Sequence, residues 1–263
     1  MGKTAKMFAV ISDIHANYEA ARAVFEYLSD HDVDRVICLG DVVGYGPDPE
    51  ECIDLVQRRC EVTLCGNHEF ALIYGEEDFS AMASQAISHH RNRLMPRPNQ
   101  DEATRQDRQR RWNFLKSLPY RYVEDNYLFV HGSPRNPRSE YLRKRDIVWR
   151  LNDKMERNFE LVDMVCFVGH THHAGVFVSD FTYHTPEELD YVYKPKPWLK
   201  TIVNVGSVGQ PRDGDSRASF VTVDDEGEIH YHRVKYDVEA TIEKIQQGGS
   251  LHPKNARRLR EGE

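Results

Sequence analysis

Residues Met7–His15 read MFAVISDIH, a short apolar run that ends in an acidic and a basic side chain. The first five of these residues are apolar and rich in β-formers, and with Ser12 they predict a buried strand at Met7–Ser12. Apolar side chains then recur at helical spacing across Asn17–Leu28, with an asparagine in the N-cap position. This stretch therefore predicts a strand and a helix, with Asp13 and His15 in the turn between them.

The same alternation of strand and helix continues along the chain. Asp34–Leu39 is a second apolar strand pattern, Pro49–Arg59 has a helical pattern with proline in its first turn, and Val62–Cys65 is a third strand pattern. Strands that alternate with helices are typical of right-handed βαβ units. We therefore expect an α/β fold with a parallel sheet.

The middle of the chain changes character and predicts a helical insertion at about residues 75–118. Phe79–Leu94 and Asp101–Lys116 have helical patterns, and the segment Pro96-Arg97-Pro98-Asn99 separates them. We expect this pair of helices to form a cap over one edge of a single domain that spans residues 1–263.

The second half of the chain is richer in β patterns. One helix is expected at about Asp146–Leu161, and a helical C-terminal tail at about residues 238–263. The predicted strands are Tyr127–Val130, Met164–Val168, Gly175–Val178, Thr201–Val205, Ser219–Val223 and Ile229–Val234.

Metal-ligand residue types follow five of the predicted strands. In an open α/β sheet the crevice lies outside the carboxyl ends of the strands, so side chains in these turns converge there. Residues two apart in an extended segment lie on one side, which applies to the Asp-x-His and His-x-His pairs. The segments are Asp13-Ile14-His15, Gly40-Asp41, Gly66-Asn67-His68-Glu69, His131-Gly132 and Gly169-His170-Thr171-His172.

The mixture of oxygen donors and imidazoles favours transition metals over Ca²⁺ or Mg²⁺, which prefer oxygen ligands. Mn or Fe is our preferred pair, with Zn or Ni as alternatives. The absence of cysteine from the set argues against a structural zinc site. Because the donors are too many for one tetrahedral ion, we expect two divalent ions. A carboxylate such as Asp41 can bridge ions about 3.5–4 Å apart.

In this order the motifs D-x-H, G-D, G-N-H-E, V-H-G and G-H-T-H resemble the calcineurin-like metallophosphoesterase superfamily, from Ser12 to about Ala218. The stretch Asn204–Asp215, which reads NVGSVGQPRDGD, is similar to a branch of uncharacterised prokaryotic phosphodiesterase-like proteins. The resemblance implies a four-layer α-β-β-α sandwich and a metal-dependent hydrolase of phosphate esters.

The resemblance also implies roles for individual residues. One ion would bind Asp13, His15 and His172, and the other would bind Asn67, His131 and His170. Asp41 would bridge the two ions, which would share a hydroxide. His68 would lie over the phosphate and act as the general acid, because an imidazole pKa near the operating pH suits proton transfer.

Two departures separate this chain from the protein Ser/Thr phosphatases. That branch has an arginine shortly after G-D, where this chain has Val43-Gly44-Tyr45, and another before G-N-H-E, where this chain has Cys65. Both phosphate-binding arginines are absent. This weakens the protein-phosphatase interpretation and that of a diadenosine polyphosphate hydrolase, which shares the motif.

Composition narrows the functional classes. The chain has 263 residues and a formal net charge of −7, which does not favour generic nucleic-acid binding. Its five scattered cysteines and the lack of a signal or membrane-spanning pattern favour a cytoplasmic protein. We expect a phosphodiesterase or phosphatase that acts on a small phosphorylated molecule or nucleotide. A nuclease and an inactive metal-binding scaffold are the alternatives, and the oligomeric state is left open.

Several further residues have two interpretations in the sequence. Glu69 either orients His68 or is exposed. Arg212 and Asp213 either touch substrate or brace their turn, and Arg135 and Arg138 either attract phosphate or are surface charges. Tyr45 and Tyr141 are candidate neighbours of the substrate. The charged segment Arg105–Arg111 is expected to be a solvated helix face. We interpret His173 as a bystander of the adjacent His-x-His pair. His89, His90, His230 and His232 are expected to be solvated or locally bonded.

Overall fold

A computed structural model describes residues 7–75, 79–147 and 153–263 of the chain. Two six-stranded sheets form its centre. The first sheet has the order β3-β2-β1-β11-β12-β9. Its strands are β1 (Phe8–Ile11), β2 (Arg35–Cys38), β3 (Val62–Thr63), β9 (Val192–Tyr193), β11 (Ala218–Val223) and β12 (Ile229–Val234).

The second sheet has the order β4-β5-β6-β10-β7-β8. Its strands are β4 (Arg121–Glu124), β5 (Tyr127–Val130), β6 (Val165–Val168), β7 (Gly175–Val178), β8 (Thr182–His184) and β10 (Thr201–Asn204). Pairing is parallel along β1-β2-β3 and along β5-β6-β10, with Ile37 opposite Val62 and Thr201 opposite Val165. The other pairs are antiparallel. Both sheets are therefore mixed, whereas the sequence had predicted a parallel sheet.

Alternation along the strands separates the layers. Successive side chains of a strand point to opposite faces, and in β1 Phe8 and Val10 pack with Phe129, Phe167 and other residues of the second sheet. The intervening Ala9 and Ile11 face the apolar sides of the helices. The two sheets therefore pack face to face, with helices outside, which confirms the expected four-layer α-β-β-α arrangement.

The helices are amphipathic and bury one face each. Asn17 caps α1 by accepting a hydrogen bond from the backbone N–H of Ala20, as the sequence predicted. The remaining backbone elements outside the sheets are α1 (Tyr18–Asp30), α2 (Pro49–Arg59), α3 (Asn67–Tyr74), α4 (Ala81–Leu94), α5 (Glu102–Ser117), α6 (Lys154–Glu160), α7 (Val238–Gly248) and α8 (Lys254–Glu261), with short 3₁₀ turns at Lys144–Ile147 and Glu187–Leu189.

The predicted insertion corresponds to α4 and α5, which pack on α2 and α3 and contribute Ile87, Leu94 and Leu115 to the core. The helix expected at Asp146–Leu161 is wrong at its start, because a 3₁₀ turn ends at Ile147 and α6 begins after Asp153. Residues 148–152 of that prediction lie outside the described residues. Within the described ranges, no helix combines the length and apolar composition that crossing a membrane requires.

Candidate metal centre

The loops that follow β1, β2, β5 and β6 meet the first turn of α3 at one end of the two sheets. All eight residues predicted for the site lie there, and every one except the half-buried Asn67 is at most 3% exposed. They are Asp13, His15, Asp41, Asn67, His68, His131, His170 and His172. Three overlapping groups have ligand atoms within 4.8 Å of one another: Asp13 with His15 and His172, Asp41 with His131 and His170, and His15 with Asp41 and His68.

Two carboxylates occupy the middle of this cluster. The Oδ1 atom of Asp13 lies 3.2 Å from Nε2 of His172 and 3.7 Å from Nε2 of His15. The Oδ2 atom of Asp41 lies 3.3 Å from Nε2 of His131 and 3.7 Å from Nε2 of His15. The other oxygen of each carboxylate accepts a backbone N–H, from His170 and His68 respectively, so the inner oxygens remain directed at the imidazoles.

Backbone carbonyls orient three of the imidazoles. Nδ1 of His15 lies 3.0 Å from the carbonyl of Val43, Nδ1 of His172 lies 2.5 Å from that of Gln210, and Nε2 of His170 lies 3.1 Å from that of Ser139. A carbonyl only accepts, so in each ring that nitrogen carries the proton and the opposite nitrogen keeps its lone pair. Such contacts are typical of metal-ligating histidines.

Several ligand atoms of the cluster face one another without a hydrogen-bond donor between them, which favours a bound cation. Nε2 of His15 and Nε2 of His172 are 3.0 Å apart, and with both Nδ1 atoms protonated each presents a lone pair to the other. Oδ1 of Asp13 and Nδ1 of His170 are buried and have no hydrogen-bond partner among the described residues. Buried acceptors without donors are costly unless a positive charge lies between them.

The ligand loops adopt backbone conformations that the sequence did not suggest. Asp13, His15, Asp41, His170 and His172 all have positive φ, between 49° and 64°. Positive φ is uncommon for residues other than glycine and tends to cluster at functional sites. We had expected the Asp-x-His and His-x-His pairs to reach the centre from extended segments, and this expectation was wrong. The tight left-handed turns direct both members of each pair inward.

Burial sets the charge state of most of the imidazoles. It lowers the pKa of His68 to about 4 and that of His170 to about 3. Burial opposes the charged form of His131 too, but the carboxylates of Asp41 and Asp13 outweigh it and raise its pKa to about 9. Burial likewise disfavours the charged form of Asp13, yet His172 and His131 hold the pKa of that carboxyl well below its ordinary value.

Glu69 has a role that neither sequence interpretation included. Its side chain is fully buried and accepts three backbone N–H groups, from Asp41 at 2.7 Å, Gly66 at 3.0 Å and Val43 at 3.0 Å. Burial and the Asp41 carboxylate raise the pKa of Glu69 to about 7, against the effect of the three donated bonds. Glu69 is not exposed and bonds the backbone instead of His68, so it holds together the two loops that carry Asp41 and Asn67.

His90 corrects another expectation. Instead of being solvated or locally bonded, this α4 residue is fully buried, accepts the N–H of Gly44 at 3.0 Å and donates to the carbonyl of Gly46 at 2.9 Å. The helical insertion thus braces the loop after β2. Gly44 leaves room for the neighbouring general-acid candidate, since a Cβ there would lie 2.1 Å from Nδ1 of His68.

The other residues that had two interpretations in the sequence fall into two groups: some stabilise loops through ion pairs, and others line a cavity. Arg135 pairs with Glu140, and Asp213 pairs with Arg233, so both stabilise their loops. Arg138, Arg212, Tyr45 and Tyr141 instead line a cavity of about 480 Å³ above Asn67, His68 and His170. The Tyr141 ring stacks on His170, with 3.8 Å between ring centroids.

The remaining charged and histidine residues lie outside the cluster. Arg110 and Arg111 pair with Asp54 of α2, so part of the α5 face is a helix–helix contact rather than a solvated surface. Nδ1 of His173 contacts the carbonyl of Thr171. His230 pairs with nearby Asp224, as local bonding predicted. His232 bonds Thr222 of the neighbouring strand and also Tyr27 of α1, so its bonding is not only local.

These features together define a class of protein. The calcineurin-like phosphoesterase superfamily domain matches residues 7–228, and the chain belongs to that superfamily. Its members are hydrolases of phosphate esters, and the family implies divalent metal ions, for which the Asp/His clusters are candidate sites.

Individual relatives resemble the chain over most of their length. An uncharacterized protein of Methanocaldococcus jannaschii, MJ0912, is 32% identical over 249 residues, which cover 91% of each chain. The crystal structure of a metallophosphoesterase from Sphaerobacter thermophilus is similar with a TM-score of 0.78 and 33% identity, covering 98% of this chain and 100% of that one. A hypothetical protein of Pyrococcus horikoshii, PH1004, shares the fold with a TM-score of 0.72 at 17% identity, covering 98% of both chains.

Proposed function

We propose that the chain is a phosphoester hydrolase that uses two divalent metal ions and His68 as the general acid. The observation that supports this most directly is the orientation of the imidazoles. Three carbonyls fix the rings of His15, His170 and His172, so their free lone pairs converge with the inner oxygens of Asp13 and Asp41. Fully buried groups arranged in this way have few other uses.

The distances suggest how the ligands divide. Asp13, His15 and His172 would hold one ion, because their ligand atoms form one compact group. His131, His170 and Asn67 would hold the other, with Oδ1 of Asn67 lying 3.1 Å from Nε2 of His131. Oδ2 of Asp41 lies close to both His15 and His131, which is the position a bridging carboxylate requires. Mn or Fe is the preferred pair, with Zn or Ni as alternatives.

Bound divalent ions would supply a water of lowered pKa and would offset charge on the phosphoryl oxygens. The protein must then deliver a proton to the leaving oxygen. His68 is positioned for this, since its Nε2 lies 3.9 Å from Oδ2 of Asp41 and its ring is held between those of His15 and Phe79. A phosphate anion bound beside the ring favours the imidazolium, because an opposite charge raises an imidazole pKa.

Two substitutions test the assignment when metal content is measured together with turnover. Protein purified without chelators should contain bound metal and hydrolyse an aryl phosphate ester. His68→Ala should keep its metal by elemental analysis and lose turnover by about 10²–10⁴-fold, the usual contribution of a general acid. Asp41→Ala should lose metal and turnover together. Equal metal loss in His68→Ala would make His68 a ligand, and a fully metallated Asp41→Ala protein would refute the bridge.

The substrate type is tested separately. Comparing a bis-aryl with a mono-aryl phosphate distinguishes phosphodiesterase from phosphatase activity. Digestion of plasmid and single-stranded DNA tests the nuclease alternative. A protein that binds its metals and turns over none of these with Mn, Fe, Zn or Ni would instead be a metal-binding scaffold.

A further inference from the structure

Three arginines from distant parts of the chain line the cavity above the metal centre. Arg138 follows β5, Arg212 follows β10 and Arg258 belongs to α8, and the same cavity reaches His68 and His170. Arg138 stacks on the ring of Phe70, with its guanidinium carbon 3.6 Å from the ring centroid. The cavity therefore joins the donor cluster to a strongly cationic wall.

Arg212 and Arg258 differ from three other shielded arginines, Arg35, Arg111 and Arg233, each of which pairs with a carboxylate. Among the described residues, Arg212 and Arg258 have no ion-pair partner. Nη2 of Arg212 donates to the amide oxygen of Gln210 at 2.7 Å, while its Nε is buried and has no hydrogen-bond partner. Two half-buried guanidinium groups without a counter-ion favour an anionic ligand.

The two guanidinium groups lie beside the metal centre and beside each other. The backbone N–H of Arg212 donates to the carbonyl of His172 at 3.2 Å, and its guanidinium carbon lies 5.6 Å from the centroid of the Tyr45 ring, which contacts the rings of His15 and His68. Arg258 lines the same cavity, and burial and the charge of Arg212 lower its pKa.

The C-terminal helix holds Arg258 in place on both sides. Asn255 donates its amide to the carbonyl of Tyr45 at 3.1 Å, and the carbonyl of Gly262 accepts the N–H of Gly214 at 3.0 Å. Leu259 packs with Ile242 of α7. These contacts fix the helix over the cavity and reduce the entropy lost when Arg258 binds a ligand.

From this arrangement we propose that Arg212 and Arg258 form an anion subsite beside the metal centre, which binds a second phosphate group of the substrate. The substrate class is an organic phosphate ester that carries at least two phosphate groups, such as a nucleoside diphosphate or bisphosphate. The proposal rests on the proposed function for the position of the reacting phosphate, at the metal centre. It also supplies a phosphate-binding role for the chain's own arginines, since the two clamp arginines of the protein phosphatases are absent.

Isothermal titration calorimetry of the purified protein tests the subsite without turnover. The probes are adenosine 5′-monophosphate and α,β-methylene adenosine 5′-diphosphate, which differ by one phosphate group. The native protein should bind the diphosphate analogue about tenfold or more tightly than the monophosphate, as charged hydrogen bonds to a second phosphate allow. Arg258→Gln should reduce this preference to about twofold or less and leave the affinity for the monophosphate unchanged.

Arg257→Gln is the matched control. Arg257 precedes Arg258 on the same helix, is 67% exposed and pairs with Glu261, so its loss should leave the preference intact. Arg258→Lys, which keeps the charge, should retain part of the preference, and the unchanged affinity of Arg258→Gln for the monophosphate shows that this variant is folded.

The outcomes separate the subsite from the proposed function. The subsite is overturned if the native protein does not prefer the diphosphate, if Arg258→Gln keeps the preference, or if that variant loses equal affinity for both probes. A retained preference in a protein that hydrolyses no phosphate ester would support the subsite and contradict only the proposed function.

Discussion

Replacing Glu69 with glutamine should destabilise the fold and weaken metal binding, because this carboxylate joins two ligand-bearing loops. Its Oε2 accepts the N–H groups of Asp41 and Gly66, and its Oε1 accepts that of Val43. All three partners are donors. A glutamine amide can keep its oxygen at the Oε2 position, but its NH₂ group must then face the N–H of Val43.

The magnitude follows from these contacts. One charge-assisted bond, worth about 1.5–3 kcal/mol, is replaced by two donors facing each other, and the other two bonds become neutral and weaken. Glutamine also removes an ionisable group whose pKa is raised to about 7, and ionisation of such a group costs stability as the pH rises through 7, so the substitution relieves that cost and offsets part of the loss. The free energy of unfolding of Glu69→Gln should therefore fall by about 1–2 kcal/mol near pH 7, and the difference from the native protein should shrink at pH 8.

Urea unfolding with and without saturating metal measures this change, because ligand binding adds to the apparent stability. Glu51→Gln, an exposed position in the first turn of α2, is the control and should stay within about 0.5 kcal/mol of the native protein. If Glu69→Gln is equally unaffected, the loops do not depend on this carboxylate. A loss of turnover without any loss of stability would support the alternative role of orienting His68.

Three further predictions concern residues around the centre and in the first sheet. His90→Leu should lower the free energy of unfolding by about 2–4 kcal/mol, because it leaves the buried N–H of Gly44 and the carbonyl of Gly46 without a hydrogen-bond partner. His89→Leu, on the same helix, should change this free energy little. Equal effects of the two substitutions would contradict the role of His90 in holding the loop after β2. Gly44→Ala should retain metal by elemental analysis but lose turnover, because its Cβ displaces His68, and native turnover would refute this. Burial lowers the pKa of His232 to about 4, so the contribution of this side chain to stability is present above pH 6.5 and is lost as the pH falls toward 4. His232→Gln should therefore flatten the pH dependence of the free energy of unfolding, measured in urea, between pH 6.5 and 4. An unchanged pH dependence in this variant would exclude the effect.

The local pattern of the sequence predicted the strands and the polar side chains that follow their carboxyl ends. The apolar run before Asp13 predicts a buried strand, and the structure has β1 at Phe8–Ile11. Residues that follow neighbouring parallel strands meet at one end of a sheet, and for this reason Asp13 lies near Asp41 in the first sheet and His131 near His170 in the second. This step needs only the period of the pattern and the handedness of βαβ units, whereas the meeting of the two pairs depends on how the two sheets pack face to face.

Features that depend on contacts between distant segments were not predictable in the same way. The pairing of β1 with β11 joins residues more than two hundred positions apart, and no local pattern sets its antiparallel direction. The bonds from Glu69 and His90 to the loop after β2 depend on how α3 and α4 pack. Arg258 carries no motif, so only the fold of α8 over the cavity distinguishes it from Arg257.

The left-handed turns connect the stability of the fold to the chemistry of the centre. Positive φ at a non-glycine residue costs of order 1–3 kcal/mol, and five donor residues share this conformation. Backbone hydrogen bonds offset part of that cost, including those from the N–H of Asp13 to Gly40 and from the N–H of His15 to Asp41. These bonds tie the loop after β1 to the loop after β2, and Glu69 ties the latter to α3. The strained loops support one another, and because their inner oxygens and lone pairs lack donors, bound cations would stabilise the same conformation that the hydrogen bonds impose.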